Sequence, residues 1–170
     1  IVNRISVEIN SVNGTEANHS AVFMTSENST GLYNRSFNWG EEYKSEFSRN
    51  TKGVYTITDE YFMPVVRDVP IFPEGDVKPG DTWTAEGHEA HDLRRSFGLQ
   101  KPFKVPFSAL YTYVGTVQKG NQTLHLIEVQ YNLYYKSPKP NGIISADYPA
   151  ITMGYSHQQI YWDNEKGAIN

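Results

Sequence analysis

The densest concentration of reactive side chains is Glu86-Gly87-His88-Glu89-Ala90-His91-Asp92, two imidazoles and three carboxylates in seven residues. Imidazole nitrogens and carboxylate oxygens are the ligand types that hold zinc or a harder divalent ion. His88, His91 and Asp92 are therefore the candidate metal-ligating residues, and a metal-dependent hydrolase is the activity they would serve. Their spacing works against it. Along a strand successive side chains point to opposite faces, which separates His88 from His91; only a helical turn reunites them. The His-Glu-x-x-His pattern of zinc proteases sets its imidazoles four positions apart on one helix face, and here the second imidazole arrives one residue early. The run is expected to be a strand that leaves its sheet at Gly87, with its polar groups satisfied by main chain and by Arg94 and Arg95. No catalytic residue and no cofactor is expected.

Other candidate chemistry is thinner. Asp163-Asn164-Glu165-Lys166-Gly167 loosely follows a calcium loop, but Ala168 stands where the EF-hand turn needs glycine, so a hairpin turn is expected. Asp59-Glu60 offers half of an acid/base pair with no second carboxylate in evidence; solvated charge at a strand end is the expectation. His19, His125 and His157 fall in or beside predicted strands, as packed or exposed imidazoles. The sequence has no G-x-x-x-x-G-K-[ST], no G-x-G-x-x-G and no S-x-x-K, the patterns that cradle phosphates or carry an activated serine. Gly154-Tyr155-Ser156-His157-Gln158 lacks the second glycine of a nucleophile elbow.

The elements that would position these residues follow from composition and period. The chain has 170 residues, 38% hydrophobic, 14% aromatic and 20% charged, a profile of one folded domain rather than a disordered chain. Fifteen basic against nineteen acidic side chains give a net charge of −4, which argues against a dedicated nucleic-acid binder. There is no cysteine, so disulfides, thiol nucleophiles and cysteine metal sites are excluded. No apolar run reaches the ~18 residues of a membrane-spanning helix.

Period-2 alternation dominates, and the predicted class is all-β with at most one or two short helices: an antiparallel β-sandwich or open half-barrel forming a single domain over residues 1–170. Ile5, Val7 and Ile9 mark a first strand, Asn13-Gly14 a hairpin turn, and Ala21 to Met24 its return. The Ser/Asn/Gly-rich stretch Thr25 to Gly40 predicts an exposed loop. Tyr43 to Phe47 and Val54 to Thr58 predict a second hairpin. Pro64, Pro70, Pro73 and Pro79 forbid helix and central strand alike, so Met63 to Gly80 should be an extended crossover held by Val65, Val69, Ile71 and Phe72. Phe107 to Val117 and Thr123 to Tyr135 predict the best hairpin. In its return strand the apolar set changes phase between Leu126 and Ile127, which requires a β-bulge or a change of packing partner. The one helix candidate lies around Glu89 to Phe97. Pro138 to Gly142 should form a turn and Ile151 to Trp162 the last long strand. Ala168-Ile169-Asn170 begins a return strand too short to complete a pair, as if the chain were cut from a longer protein.

Tyr111, Tyr113, Tyr131, Tyr134, Tyr135, Tyr148, Tyr155, Tyr161 and Trp162 crowd the second half. Strands favour tyrosine, and such a set can also line a groove for a lipid or glycan. Sequons at Asn13, Asn18, Asn28, Asn34 and Asn121 matter only in a eukaryotic secretory protein.

Four stretches carry a resemblance: Tyr61 to Pro73 (YFMPVVRDVPIFP), Lys78-Pro79-Gly80-Asp81-Thr82-Trp83, Gly87 to Arg94 (GHEAHDLR) and Tyr161-Trp162-Asp163. Together they are similar to the β-rich region that precedes the OmpA-like domain in spirochaete, notably treponemal, envelope proteins. The resemblance covers roughly Tyr43 to Gly167. It implies an exported, non-enzymatic scaffold or interaction module of the bacterial periplasm or outer membrane. Its partners would be other envelope proteins, or peptidoglycan through the neighbouring OmpA-like domain, whose ligands for the peptide stem fall outside this chain. A lipid-binding β-domain, with a cavity lined by Leu110, Val129 and Leu133, is the alternative expectation.

Overall fold

The computed structural model describes residues 2–30, 35–136 and 151–169. Strand makes up 67% and helix 3% of the protein, the all-β class that alternation predicts. In chain order the elements are β1 (Asn3–Asn13), β2 (Glu16–Thr30), β3 (Arg35–Asn50), β4 (Tyr55–Thr56), β5 (Val66–Arg67) and β6 (Thr82–His91). They continue with α1 (Arg94–Phe97), β7 (Phe103–Lys119), β8 (Gln122–Lys136), β9 (Ile151–Asp163) and β10 (Ala168–Ile169). All pairings are antiparallel. They form a four-stranded sheet, β1-β2-β3-β4, and a six-stranded sheet, β10-β9-β8-β7-β6-β5, curled into a half-barrel.

The main core lies on the concave face of the half-barrel. On β7, buried Phe103, Val105, Phe107, Ala109, Tyr111 and Tyr113 alternate with outward Lys104, Pro106, Ser108 and Leu110. They meet Ile127, Val129, Tyr131 and Leu133 of β8 and Ile160 of β9. Phe107 and Tyr131 stack at 3.9 Å between ring centroids. The four-stranded sheet has its own small cluster of Ala21, Phe23 and Phe47, joined by Tyr43, Tyr55, Ile57 and Met63. The segment linking the sheets supplies apolar side chains to both clusters, Met63 to one and Val66, Val69, Phe72 and Val77 to the other.

The phase change at Leu126/Ile127 has a local cause. The β7–β8 ladder slips between Tyr113 and Gly115, opposite those two residues, whereas β8 runs in unbroken register with β9. The bulge therefore sits in β7; β8 itself alternates without a break, so Leu124 and Leu126 are buried on the face opposite Ile127 and outside the main core cluster, a change of packing partner. Gly115, at φ 129°, supplies the backbone that the bulge needs.

Three expectations are corrected. The described parts of Thr25 to Gly40 are strand and not loop: β2 runs to Thr30 and β3 begins at Arg35, with Ser26 opposite Trp39 and Thr30 opposite Arg35. A ribbon whose main-chain bonds are met by its own ladder needs no apolar alternation, the signal that is missing there. The helix around Glu89 to Phe97 shrinks to the single turn α1, because β6 carries on through His91. For the same reason the strand does not leave its sheet at Gly87. That glycine is there because a Cβ would lie 2.7 Å from the Phe107 ring. Val54 to Thr58 pairs only through Tyr55 and Thr56. The turn at Pro138 to Gly142, and Tyr148, lie outside the described residues.

Candidate functional site

The proline-rich crossover, expected to be a strap, is held by polar groups from both sheets. Prolines leave main-chain carbonyls without ladder partners, and a carbonyl that enters the interior must find a donor. Arg67, on β5, is fully buried and meets that need. Its Nη2 donates to Tyr61 O at 2.6 Å and Phe62 O at 3.4 Å, and its Nε donates to Pro64 O at 3.1 Å. β5 in turn pairs with β6, Arg67 opposite His88, and the Ala90 N–H donates to Val65 O at 2.8 Å.

The next residue, Asp68, takes the left-handed conformation (φ 62°), which aspartate tolerates better than most. One carboxylate oxygen accepts the Tyr55 N–H of β4 at 2.8 Å and the other lies 3.3 Å from His88 Nδ1 of β6. Tyr111 OH donates to Asp68 O and accepts from the Ile71 N–H, both at 3.4 Å, and Trp83 Nε1 donates to Ile71 O at 2.8 Å. From β3, Arg49 donates to Gly53 O at 2.9 Å and Pro70 O at 2.8 Å. The crossover is thus bonded to β3 and β4 on one side and to β6 and β7 on the other.

The histidine and carboxylate run is divided among different tasks. His88 faces Asp68. Glu89, on the opposite face, accepts the Tyr131 hydroxyl proton at 2.9 Å and lies 3.0 Å from His91 Nε2. Asp92 receives the Arg94 guanidinium at 2.7 and 2.8 Å; of the two arginines expected nearby, Arg94 is the one engaged. His88, His91 and Asp92 therefore do not share a partner. Among the described residues no three His, Asp or Glu side chains group as metal ligands would. Burial, with the Glu89 carboxylate adding to it, pushes the Tyr131 phenol up to about 12, so it remains a donor at neutral pH.

Elsewhere, Asp59 sits between Lys101 and Lys104 at 2.9 and 2.6 Å. Hydrogen bonds from Lys104 and then Lys101 bring its pKa down to about 2. Asp163 accepts the Glu165 and Lys166 N–H groups at 3.0 and 3.1 Å, a hairpin turn. His19 stacks on Phe47, and His157 is exposed.

A cleft of about 480 Å3 opens on the concave face of the half-barrel beside the crossover. Its aromatic walls are Phe72, Trp83, Tyr113 and Trp162, and its polar lining includes Thr51, Asp76, His125 and Asn164. Phe72 leans on Trp162 (4.8 Å) and Trp83 stacks on Tyr111 (5.2 Å). His125 Nδ1 is tied to Tyr113 OH at 2.8 Å. The cavity expected at Leu110, Val129 and Leu133 is not where the cleft lies: Val129 and Leu133 are packed in the core, and Leu110 faces outward. The crossover brings Phe72 and Asp76 to residues far along the chain, so no local spacing announces this cleft. Arg67 was equally hidden, as one arginine in an apolar, proline-rich run. Compared with protein-family models, curated proteins and solved structures, the chain matches none.

Burial works to raise the Asp68 carboxyl, but the hydrogen bonds from His88 and the Tyr55 N–H outweigh it and hold it below the usual carboxylate range. A folded-state value below the unfolded one stabilises above the unfolded pKa, near 4, and that stability is lost as pH falls through the folded value. Urea midpoints should therefore drop between about pH 4 and pH 2, the drop also reporting Asp59. Asp68→Asn, which keeps an acceptor for Tyr55, should lower the neutral-pH midpoint and flatten this acid limb. An unchanged acid limb would mean that Asp68 is not anchored as described.

Proposed function

We infer that this chain is a non-catalytic scaffold and interaction module of a bacterial envelope protein, holding a peptidoglycan-binding neighbour of the OmpA-like kind in place. One observation carries the reading. The candidate ligands His88, His91 and Asp92 are each taken up by a different protein group, Asp68, Glu89 and Arg94, and the polar side chains around them fix the crossover. Asp68 holds Tyr55, Arg67 holds three carbonyls, and Glu89 holds Tyr131. A rigid strap between two sheets suits a part whose task is to present surfaces at a fixed geometry. The resemblance at Tyr61 to Pro73, Gly87 to Arg94 and Tyr161 to Asp163 supplies the envelope setting, in the periplasm or at the outer membrane. The test is the gene beyond the Asn170 codon, with a sedimentation assay on peptidoglycan sacculi. An encoded OmpA-like segment, with sacculus binding by the longer protein and not by residues 1–170, is expected. A stop codon at that point, or pelleting of the 170-residue chain itself, contradicts the reading.

The cleft favours a second reading, small-ligand binding. Among the described residues the carboxylate of Asp76, the amide of Asn164 and the hydroxyl of Thr51 make no side-chain hydrogen bond or ion pair, and all three line the cleft with the aromatic rings. Aromatic surface with a few convergent polar groups is the usual make-up of a binding pocket, and an open, polar-rimmed cleft suits a sugar ring better than an acyl chain. Titration with chitobiose or maltose should change the tryptophan fluorescence and saturate, and Trp162→Ala should weaken binding at least about tenfold, since stacking aromatics are worth one to several kcal/mol. Saturation by a fatty acid and by neither sugar would restore the lipid alternative.

A further inference from the structure

β1 is the outer strand of the four-stranded sheet, and over Asn3–Ile9, ahead of the slip at Ile9/Ser11, its free edge lacks several of the usual defences against pairing. It has no proline and no lysine, and no charge on its apolar side. Ile5, Val7 and Ile9 lie opposite Phe23, Ala21 and His19 of β2, so they extend the face that carries the small core cluster. They remain 59%, 52% and 54% exposed.

Main-chain groups alternate sides along a strand. The Val2 carbonyl accepts the Ser26 N–H at 2.8 Å, so even-numbered residues of β1 bond to β2. Asn3, Ile5, Val7 and Ile9 turn their N–H and C=O groups outward. The ladder is regular from Asn3 to Ile9 and slips only beyond, between Ile9 and Ser11. That regular segment is centred on Ser6.

We propose that this edge pairs with a second copy of the chain, β1 against β1 in antiparallel register, about a two-fold axis through Ser6. Charge selects this occupant and this register. Arg4 and Glu8 stand equally far from Ser6 on the face away from the apolar stripe, and among the described residues neither forms an ion pair. The two-fold sets Arg4 of each copy opposite Glu8 of the other, twice, the arrangement that stabilises cross-strand pairs. On the other face Ile5 meets Val7 and Asn3 meets Ile9, and the outward main-chain groups of the segment bond across the axis. The product is one continuous eight-stranded sheet, closed by the two-fold so that it does not propagate. The inference goes beyond the envelope reading and does not depend on it: a monomer would leave that reading intact.

The chain has no cysteine, so Ser6→Cys provides a specific test. The axis makes Ser6 and its copy a non-hydrogen-bonded pair, about 4.5 Å between Cα atoms, within disulfide reach. Sedimentation equilibrium of the unmodified chain should give a dimer. Under mild oxidation Ser6→Cys should form a covalent dimer, while Arg4→Cys and Glu8→Cys should cross-link poorly. Val7→Lys, at an exposed position, should give a folded monomer by circular dichroism. Arg4→Glu or Glu8→Arg should each raise the dimer dissociation constant roughly tenfold or more, and the double exchange should restore it. A monomer at all concentrations, a dimer indifferent to Val7→Lys, or a charge exchange that fails to restore pairing would each overturn the proposal.

Discussion

Arg67→Ala should lower the stability of the folded chain by about 3–5 kcal/mol, the scale on which removing one member of a buried, charged hydrogen-bonding group acts. For a protein of this size that is a fall in melting temperature of roughly 6–20 °C. The argument is local. The guanidinium is fully buried and reaches the carbonyls of Tyr61, Phe62 and Pro64, which alanine would leave in the interior without donors. Alanine would also leave a void beside β6. Arg67→Lys keeps the charge but not the fork that reaches several carbonyls at once, so it should recover only part of the loss. Calorimetry of the three proteins checks this, and an alanine variant melting within 2–3 °C of the parent, under about 1 kcal/mol, would show that the strap does not need its arginine.

Gly53→Ala should be comparably damaging, at about 3 kcal/mol or more, for two additive reasons. Gly53 has φ 94°, a conformation that side chains disfavour. A Cβ there would also run into the carbonyl oxygen of Pro70, main chain that cannot swing aside, and would crowd the Arg49 guanidinium that bonds both. Chemical denaturation should show a lower midpoint. Gly14→Ala, at a hairpin turn with φ 60° and open space around it, should cost only the strain of its conformation, roughly 1–2 kcal/mol. Equal losses at both positions would remove the steric part of the argument.

The contrast between these glycines indicates what the sequence can reveal. Asn13-Gly14 announces its turn through local chemistry, and β1 and β2 flank it as expected. The alternation from Phe103 to Tyr113 names the inward face of β7, and the phase change at Leu126 and Ile127 marks where β8 changes packing partner, opposite the bulge in β7. Prolines announce the crossover. Its fastening was not legible, because each bond joins residues distant in the chain: Asp68 to Tyr55 and His88, Pro70 to Arg49, Ile71 to Tyr111 and Trp83. Period and propensity describe a segment's own neighbours, and they are silent about which carbonyl a distant arginine reaches. The long β2–β3 ribbon was missed for a related reason. Its pairing rests on main-chain bonds across the ladder, which Ser and Asn side chains neither demand nor forbid.

His88, His91 and Asp92 illustrate the same limit from the other side. Strand alternation correctly puts His88 and His91 on opposite faces. It could not say that Asp68 would meet one and Glu89 the other.

Amide hydrogen exchange tests most directly whether the crossover is fastened to both sheets. The N–H groups of Tyr55, Phe72 and Ala90 donate to Asp68, Lys52 and Val65, bonds that join the strap to β4, to the β3–β4 turn and to β6. All three should exchange only with global unfolding, as slowly as the central β7 amides of Ala109 and Tyr111. Exchange of these three at rates well above those of β7, with the half-barrel still protected, would show a strap that opens by itself and would contradict the account.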